Sequence, residues 1–338
     1  MEEKQIAVAI SEDDFETADE SLEPFHNKDK IEFKPAFIEH YSKLTDWETY
    51  KKYSLSFLRR SIRVNTLKIS VQKIQERLSK DWILTPIPWC KEGFWIEHRG
   101  VGKEKRRDIG NLIEHALGFM YVQEAASMIP PVVLDPQPGE IILDMCSAPG
   151  SKATQIAQYM ENKGLLIAND FTYQRLQALG LNVQRNGITN IVITQMYGHW
   201  FKDFQFDRIL LDAPCSGTGT IRKSLKTILM WNRSGIKQLA GQQRQLIETA
   251  FTNLKSGGVM VYSTCSNEPE EDEAVVSFLL EKNPGAVCEE IDLPIKHGPA
   301  VLEFEGKKYN HGVKNCLRLW PQDNDTEGFF IAKIRKKD

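Results

Sequence analysis

Residues 140–170 read EIILDMCSAPGSKATQIAQYMENKGLLIAND. IILD is a continuous apolar run ending in an acid, the pattern of a strand buried on both faces. A turn of small residues follows at Ala148, Pro149 and Gly150, then the helical stretch SKATQIAQYM, then a second apolar run, GLLIAND. Strand, turn, helix and strand in that order make a βαβ unit with parallel strands. The rhythm continues with a helix at YQRLQALGLNVQRN (173–186) and strands at NIVITQM (190–196) and FDRILLDAP (206–214). A helix at QQRQLIETAFTNL (242–254) and a fifth strand at GGVMVYSTC (257–265) complete it. The alternation predicts an α/β fold, a mostly parallel, Rossmann-like sheet with helices on both faces, over residues 116–338.

Upstream, residues 36–115 read as a smaller α/β domain. Phe37, Ile38, Tyr41 and Leu44 have helical spacing, and Trp47, Tyr50 and Leu55 prolong the stripe. SIRVNT (61–66) alternates like a strand, and Ser70 stands as an N-cap ahead of VQKIQERL, whose Val71, Ile74 and Leu78 share a face. WILTPIP and GFWIEH read as two more strands. Residues 1–35 hold 11 acidic and 4 basic side chains and few large apolar ones, which predicts a mostly disordered acidic tail.

At 338 residues, two domains are expected, and 41% apolar with 26% charged residues is ordinary for a soluble globular protein. No apolar run approaches the roughly 18 residues of a membrane span, and MEEKQ lacks the features of a signal peptide, so no membrane contact and a cytoplasmic location are expected. The six cysteines, at 90, 146, 215, 265, 288 and 316, include no CxxC pair. Neither a disulfide framework nor a bound metal is expected. The net charge of −3 divides into −7 for residues 1–35 and +4 (35 acidic, 39 basic) for the rest, a body compatible with a polyanionic partner.

In an open α/β sheet, ligands sit beyond the carboxyl ends of the strands. Three polar turns fall on that edge: DMCSAPGSK (144–152), DAPCSGTG (212–219) and STCSNEPEED (263–272). The first would let a ligand approach the backbone closely, and Asp170, ending the second strand, suits a ribose hydroxyl pair. Neither GxGxxG nor GxxxxGK[ST] is present, which argues against a dinucleotide or P-loop site. Asp144 and Asp170 together favour a nucleoside cofactor. Two cysteines on neighbouring turns, Cys215 and Cys265, with Asp212 close by, suggest chemistry on an unreactive base.

These turns resemble those of the RNA cytosine-C5 methyltransferases of the Nop/Sun family. The resemblance covers roughly residues 55–338 and includes RVNTLK (63–68), YVQEAASMIPP (121–131), DMCSAPGSKATQ (144–155), DAPCSGTGTIRK (212–223), YSTCSNEPEEDEAVV (262–276) and LRLWPQDNDTEGFFIAKIRK (317–336). It implies a class I methyltransferase domain that uses S-adenosylmethionine (SAM), preceded by an RNA-binding domain. Cys265 would attack cytosine C6, Asp212 would contact N3 and the exocyclic amine, and Lys152 would orient Asp212 or the base. Cys215 would release the product, and DNA cytosine-C5 enzymes supply the reverse assignment as a rival. The thiolate would need nearby positive charge or N–H dipoles. Cofactor contacts fall by resemblance on Cys146, Ser147, Ala148, Pro149, Gly150, Ser151 and Lys152, on Asp170, Arg175 and Asp212. Where relatives often carry Asp, this chain has Tyr197, which leaves adenine to backbone groups and stacking by Met196 or Tyr197.

The implied substrate is RNA, tRNA first and rRNA second, handled by a monomer to which a specificity-modulating protein could be added. A methyltransferase for DNA or amino groups and a non-catalytic RNA-binding assembly protein are the other readings. Three basic runs predict a phosphate-binding surface. They are Lys51, Lys52, Arg59, Arg60, Arg63 and Lys68; Arg99, Lys103, Lys105, Arg106 and Arg107; and Arg222, Lys223, Lys226 and Arg233. Trp231, Tyr53 and Phe57 are candidates for base stacking.

Overall fold

The computed structural model describes residues 22–101 and 106–337. Two short helices come first, α1 (Pro35–Tyr41) and α2 (Trp47–Ser54). A four-stranded antiparallel sheet follows, built from β1 (Ser61–Val64), β2 (Trp82–Ile87), β3 (Cys90–His98) and β4 (Met120–Val122) in the order β2-β3-β1-β4. Helix α3 (Val71–Leu78) covers this sheet, and Ser70 caps it by accepting the Lys73 N–H at 3.3 Å. Its Ile74 and Leu78 are buried with Ile62, Val64, Trp82 and Phe94. The short helix α4 (Ile113–Ala116) precedes β4.

The larger domain opens with α5 (Ile129–Leu134) and continues through β5 (Ile141–Asp144), α6 (Ser151–Tyr159), β6 (Leu165–Asn169), α7 (Tyr173–Asn186), β7 (Ile191–Thr194) and β8 (Phe206–Asp212). It ends with α8 (Lys226–Met230), α9 (Arg233–Thr252), β9 (Leu254–Thr264), α10 (Glu273–Lys282), β10 (Ala286–Glu289), the hairpin β11 (Glu303–Phe304) and β12 (Lys307–Lys308), β13 (Leu317–Leu319), α11 (Pro321–Asn324) and β14 (Phe329–Lys336). The sheet order is β10-β14-β9-β8-β5-β6-β7, with β13 beside β14. Strands β5 to β9 are parallel, and β14 runs antiparallel between β9 and β10. Leu143, Ile209, Leu210, Leu211, Met260 and Val261 are fully buried, so the apolar runs of the sequence are the central strands. Among the described residues, no helix is long and apolar enough to cross a membrane.

Four expectations need correction. Residues 1–21 of the expected tail lie outside the described residues, but 22–35 are ordered against the fold at a few anchor points. Phe25 N–H donates to the Leu55 carbonyl at 2.8 Å, Phe57 N–H donates to the Glu23 carbonyl at 2.7 Å, and Phe33 is buried. Three acids and three lysines balance in this stretch, so its aromatic side chains can anchor it; the excess negative charge lies upstream. Second, α1 and α2 pack on the larger domain and not on the small sheet: Phe37, Tyr41 and Tyr50 cluster with Ile228, Trp231 and Trp320. Third, β4 pairs with β1 (Ile62 opposite Val122), so the small sheet closes beyond residue 115. Helix α9 also starts nine residues earlier than expected, at Arg233, because the Asn232 side chain accepts the Gly235 N–H at 2.7 Å.

Candidate active site

Strands β8 and β9 are parallel neighbours with Asp212 opposite Ser263. Equal register brings their following turns level, and the Cys215 and Cys265 sulfurs lie 3.3 Å apart. Both turns are stitched to the start of β14. Gly219 N–H donates to the Cys265 carbonyl at 3.0 Å, and Gly328 N–H donates to the Gly219 carbonyl at 2.9 Å. A Cβ on Gly219 would stand 2.2 Å from the Gly328 oxygen, so only glycine permits this approach. Glu271 braces the site, accepting the Ser216 N–H at 3.0 Å and the Ser266 hydroxyl at 2.6 Å. Burial pushes its carboxyl up to about 7.

Asp212 ends β8, three residues before Cys215, and is held from both sides. Its Oδ2 accepts from Lys152 Nζ at 2.8 Å and its Oδ1 from the Ser263 hydroxyl at 2.8 Å. Burial works against the Lys152 charge, but Asp212, with a smaller contribution from Cys265, outweighs it and holds the ammonium above its ordinary value. Cys215 is pushed up by its hydrogen bond to the Cys265 sulfur and by burial. It therefore stays a thiol and can donate S–H to the Cys265 sulfur.

The cofactor end lies along β5 and β6. Asp144 is 1% exposed, and neither of its carboxylate oxygens has a hydrogen-bond partner among the described residues. Burial, then the Asp212 charge, pushes it up to about 7. The turn after it needs Gly150 at φ 101°, where a Cβ would meet Leu179 Cδ1 at 2.5 Å. Asp170 is 2% exposed, accepts the Thr172 N–H at 2.9 Å and pairs with Arg175 at 3.1 Å. Arg175 also donates to the Ala148 carbonyl. A buried acid presenting unpaired oxygens suits an ammonium, and the open turn suits a nucleoside methionine. Asp144, the 146–152 turn and Asp170 thus fit SAM.

The predicted residues fall into two groups. Cys265, Cys215, Asp212 and Lys152 come together in one cleft, with the Cys146–Ser151 turn, Asp170 and Arg175 along its edge. Tyr197 is half exposed on the rim, nearly parallel to Phe171 at 5.8 Å with Trp200 at 4.8 Å. Sequence reasoning did not single out Ser263, Glu271, Glu268 or Phe171. The first three lie inside a motif it quoted, but nothing in a sequence tells which acid of SNEPEED turns inward.

Several cations read as RNA-binding are structural. Arg63 is fully buried and crosses from β1 to α6, donating to Gln158 at 3.2 Å, Thr154 at 2.9 Å and the Ser151 carbonyl at 2.8 Å, and to Gln123. Arg222 is spent on the Phe57 carbonyl at 2.8 Å and Asp325 at 2.6 Å. Tyr53 and Trp231 are buried. Trp231 donates to Glu268 at 3.0 Å, as does the Tyr41 hydroxyl at 2.6 Å, while His40 Nε2 lies 2.7 Å from the other oxygen. The ligand atoms of His40, Glu268 and Glu270 lie within 4.8 Å of one another, but these donors already occupy Glu268. Arg59 and Arg107 differ from Arg63 and Arg222 in staying partly exposed while stacking on Trp95 at 4.0 Å and Phe57 at 4.6 Å. Lys103 and Lys105 lie outside the described residues.

The strand order with its one reversed strand, and the two turns beneath it, define a class I SAM-dependent methyltransferase. The 16S rRNA methyltransferase RsmB/F family matches residues 131–335, and the N-terminal domain of 16S rRNA methyltransferase RsmF matches 33–125. The chain belongs to this family, the Nop/Sun RNA methyltransferases. The tRNA (cytosine(49)-C(5))-methyltransferase of Pyrococcus abyssi is 48% identical over 313 residues, covering 91% of this chain and 98% of that protein. The ribosomal RNA small subunit methyltransferase F of Psychromonas ingrahamii is 44% identical over 288 residues, 82% of this chain but 57% of that one. The solved structure of NSun6 from Pyrococcus horikoshii with SFG, a SAM analogue, has a TM-score of 0.79 at 26% identity and covers 91% of this chain and 99% of its own.

Proposed function

We propose that this enzyme methylates C5 of cytosine in RNA, tRNA foremost, through a transient bond between Cys265 and C6. The observation that carries the reading is the pair of sulfurs 3.3 Å apart beside the Lys152–Asp212 ion pair. Cytosine C5 is too electron-poor to be alkylated directly. The Cys265 thiolate forms the S–C6 bond, the C5–C6 π pair makes C5 nucleophilic, and the charge developing on N3 is met by a proton shared with Asp212. Lys152 holds Asp212 in place for this contact. Bound SAM would supply the methyl group as electrophile. Once C5 is methylated, H5 leaves as a proton to solvent water, its C–H electron pair re-forms C5=C6, and the thiolate leaves C6. Cys215, beside the departing sulfur, assists this release.

Asp144 and the turn through Gly150 would hold the methionine end of SAM, Asp170 the ribose, and Phe171 with Tyr197 the adenine rim. The tRNA preference rests on the relative that this chain spans almost end to end. A 16S rRNA substrate is the second reading, favoured by the names of both matching family descriptions. The small domain, with Arg59 and Arg107 on its side of the chain, would grip the RNA backbone.

Incubating the enzyme with SAM and 5-fluorocytidine RNA tests the mechanism, because fluorine blocks release and a covalent complex should survive denaturation. Cys265→Ser should abolish it, whereas Cys215→Ser should accumulate complex even on ordinary RNA. Covalent complex with Cys265→Ser but none with Cys215→Ser would reverse the two roles. Bisulfite sequencing of tRNA and rRNA treated with the enzyme identifies the substrate.

A further inference from the structure

Helix α8 follows the Cys215 turn and carries two adjacent large apolar side chains in solvent, Leu229 at 72% and Met230 at 73% exposure. Their neighbours on either side are anchors. Ile228 and Trp231 are buried in the aromatic cluster with Phe37, Tyr41 and Tyr50. Lys34, from the segment before α1, donates to the Leu229 carbonyl at 2.9 Å and to the Trp231 carbonyl at 3.2 Å. Trp231 is also tied to Glu268, three residues past Cys265. The chain is thus pinned before, between and after the two exposed residues, and their outward placement is a property of the fold. Among the described large apolar side chains only Val101 is more exposed than these two, and here they are adjacent.

Charge around the tip points to the occupant. Lys223 and Lys226 are exposed between the Cys215 turn and the apolar pair. Cations beside an apolar projection match a nucleic acid, whose phosphates pair with the former and whose base faces accept the latter. The target cytosine must also leave its stack before Cys265 can approach C6 from above the ring, and it leaves a gap. We propose that Leu229 and Met230 form a wedge that enters the RNA beside the target cytosine and fills the place it vacates. This rests on the reading of the enzyme as an RNA cytosine methyltransferase.

The test uses the full chain with unmodified tRNA and 16S rRNA transcripts. Wild-type enzyme is used to map the methylated cytosine by bisulfite sequencing, and a second transcript is made with an abasic residue opposite it. The double variant Leu229→Ser/Met230→Ser should methylate the intact transcript about tenfold more slowly, or worse, and the abasic transcript at close to the wild-type rate. Melting temperature and SAM affinity should not change, since both side chains are exposed and neither is among the residues proposed to hold SAM. Equal slowing on both transcripts, no slowing on either, or a target cytosine without a pairing partner would overturn the wedge while leaving the methyltransferase reading intact. Wild-type enzyme inactive on every transcript would remove that reading, and the wedge with it.

Discussion

His40, on the first helix, lies 2.7 Å from Glu268, a fully buried acid in the loop that carries Cys265. Tyr41 and Trp231 donate to the other carboxylate oxygen, so one side chain gathers three donors from two distant segments. The N-terminal helices are therefore part of the scaffold that orders the catalytic loop. Glu268→Ala should leave those donors buried without an acceptor, costing about 3 kcal/mol or more of stability. Calorimetric melting reads this directly, and formation of the 5-fluorocytidine complex should slow well before the fold is lost.

Lys152 is the cation beside Asp212. Lys152→Met keeps most of the volume and removes the charge, so Asp212 loses its fixed orientation. Single-turnover methylation should fall by about 10²-fold, with RNA affinity nearly unchanged. A change confined to KM would contradict the orienting role.

Arg63 and Arg59 should behave as opposites although both lie in the same basic run. Arg63→Ala empties a buried socket lined with acceptors and should destabilise the protein by about 3–5 kcal/mol without altering the salt dependence of RNA binding. Arg59→Ala, which gives up its stack on Trp95, should cost only about 1 kcal/mol of stability while weakening RNA binding and lowering the slope of log K against log salt by about 1.

Asp144 gives the cofactor site a pH dependence. With its carboxyl raised to about 7, the free enzyme holds a proton there below neutrality and an anion above it. Only the anion offers both oxygens to an ammonium, so SAM affinity should rise as pH increases through about 7 and level off beyond it. Titration calorimetry at pH 6 and pH 8 measures the change, and Asp144→Asn should flatten it.

The strand-helix rhythm made the main sheet legible, because parallel strands buried on both faces must be continuously apolar, and five of its strands fall where the pattern places them. The added strands β10 and β14 carry no such rhythm: β14 was visible only as motif residues, and β10 was not anticipated. The cleft was legible because Cys215 and Cys265 each follow a strand that the alternation makes parallel. What failed was the sign of single side chains. Arg63 and Arg222 look like solvent-facing cations in a basic run, yet each finds enough carbonyl and amide acceptors to be buried. Trp231 was set among base-stacking candidates, but it is a hydrogen-bonding strut. The aromatic residues of 22–54 were read as a tail and a separate domain, because sequence spacing cannot say which neighbour a stripe will cover.

The Arg63 socket draws its walls from both sides of the molecule: the guanidinium comes from the small sheet, and most of its acceptors come from a helix of the large one. The halves are consequently not interchangeable cassettes. Grafting the front half of a relative onto this back half would succeed only if the donor brought an arginine of matching reach, and a trimmed version lacking the small sheet would expose a row of acceptors evolved to surround a cation.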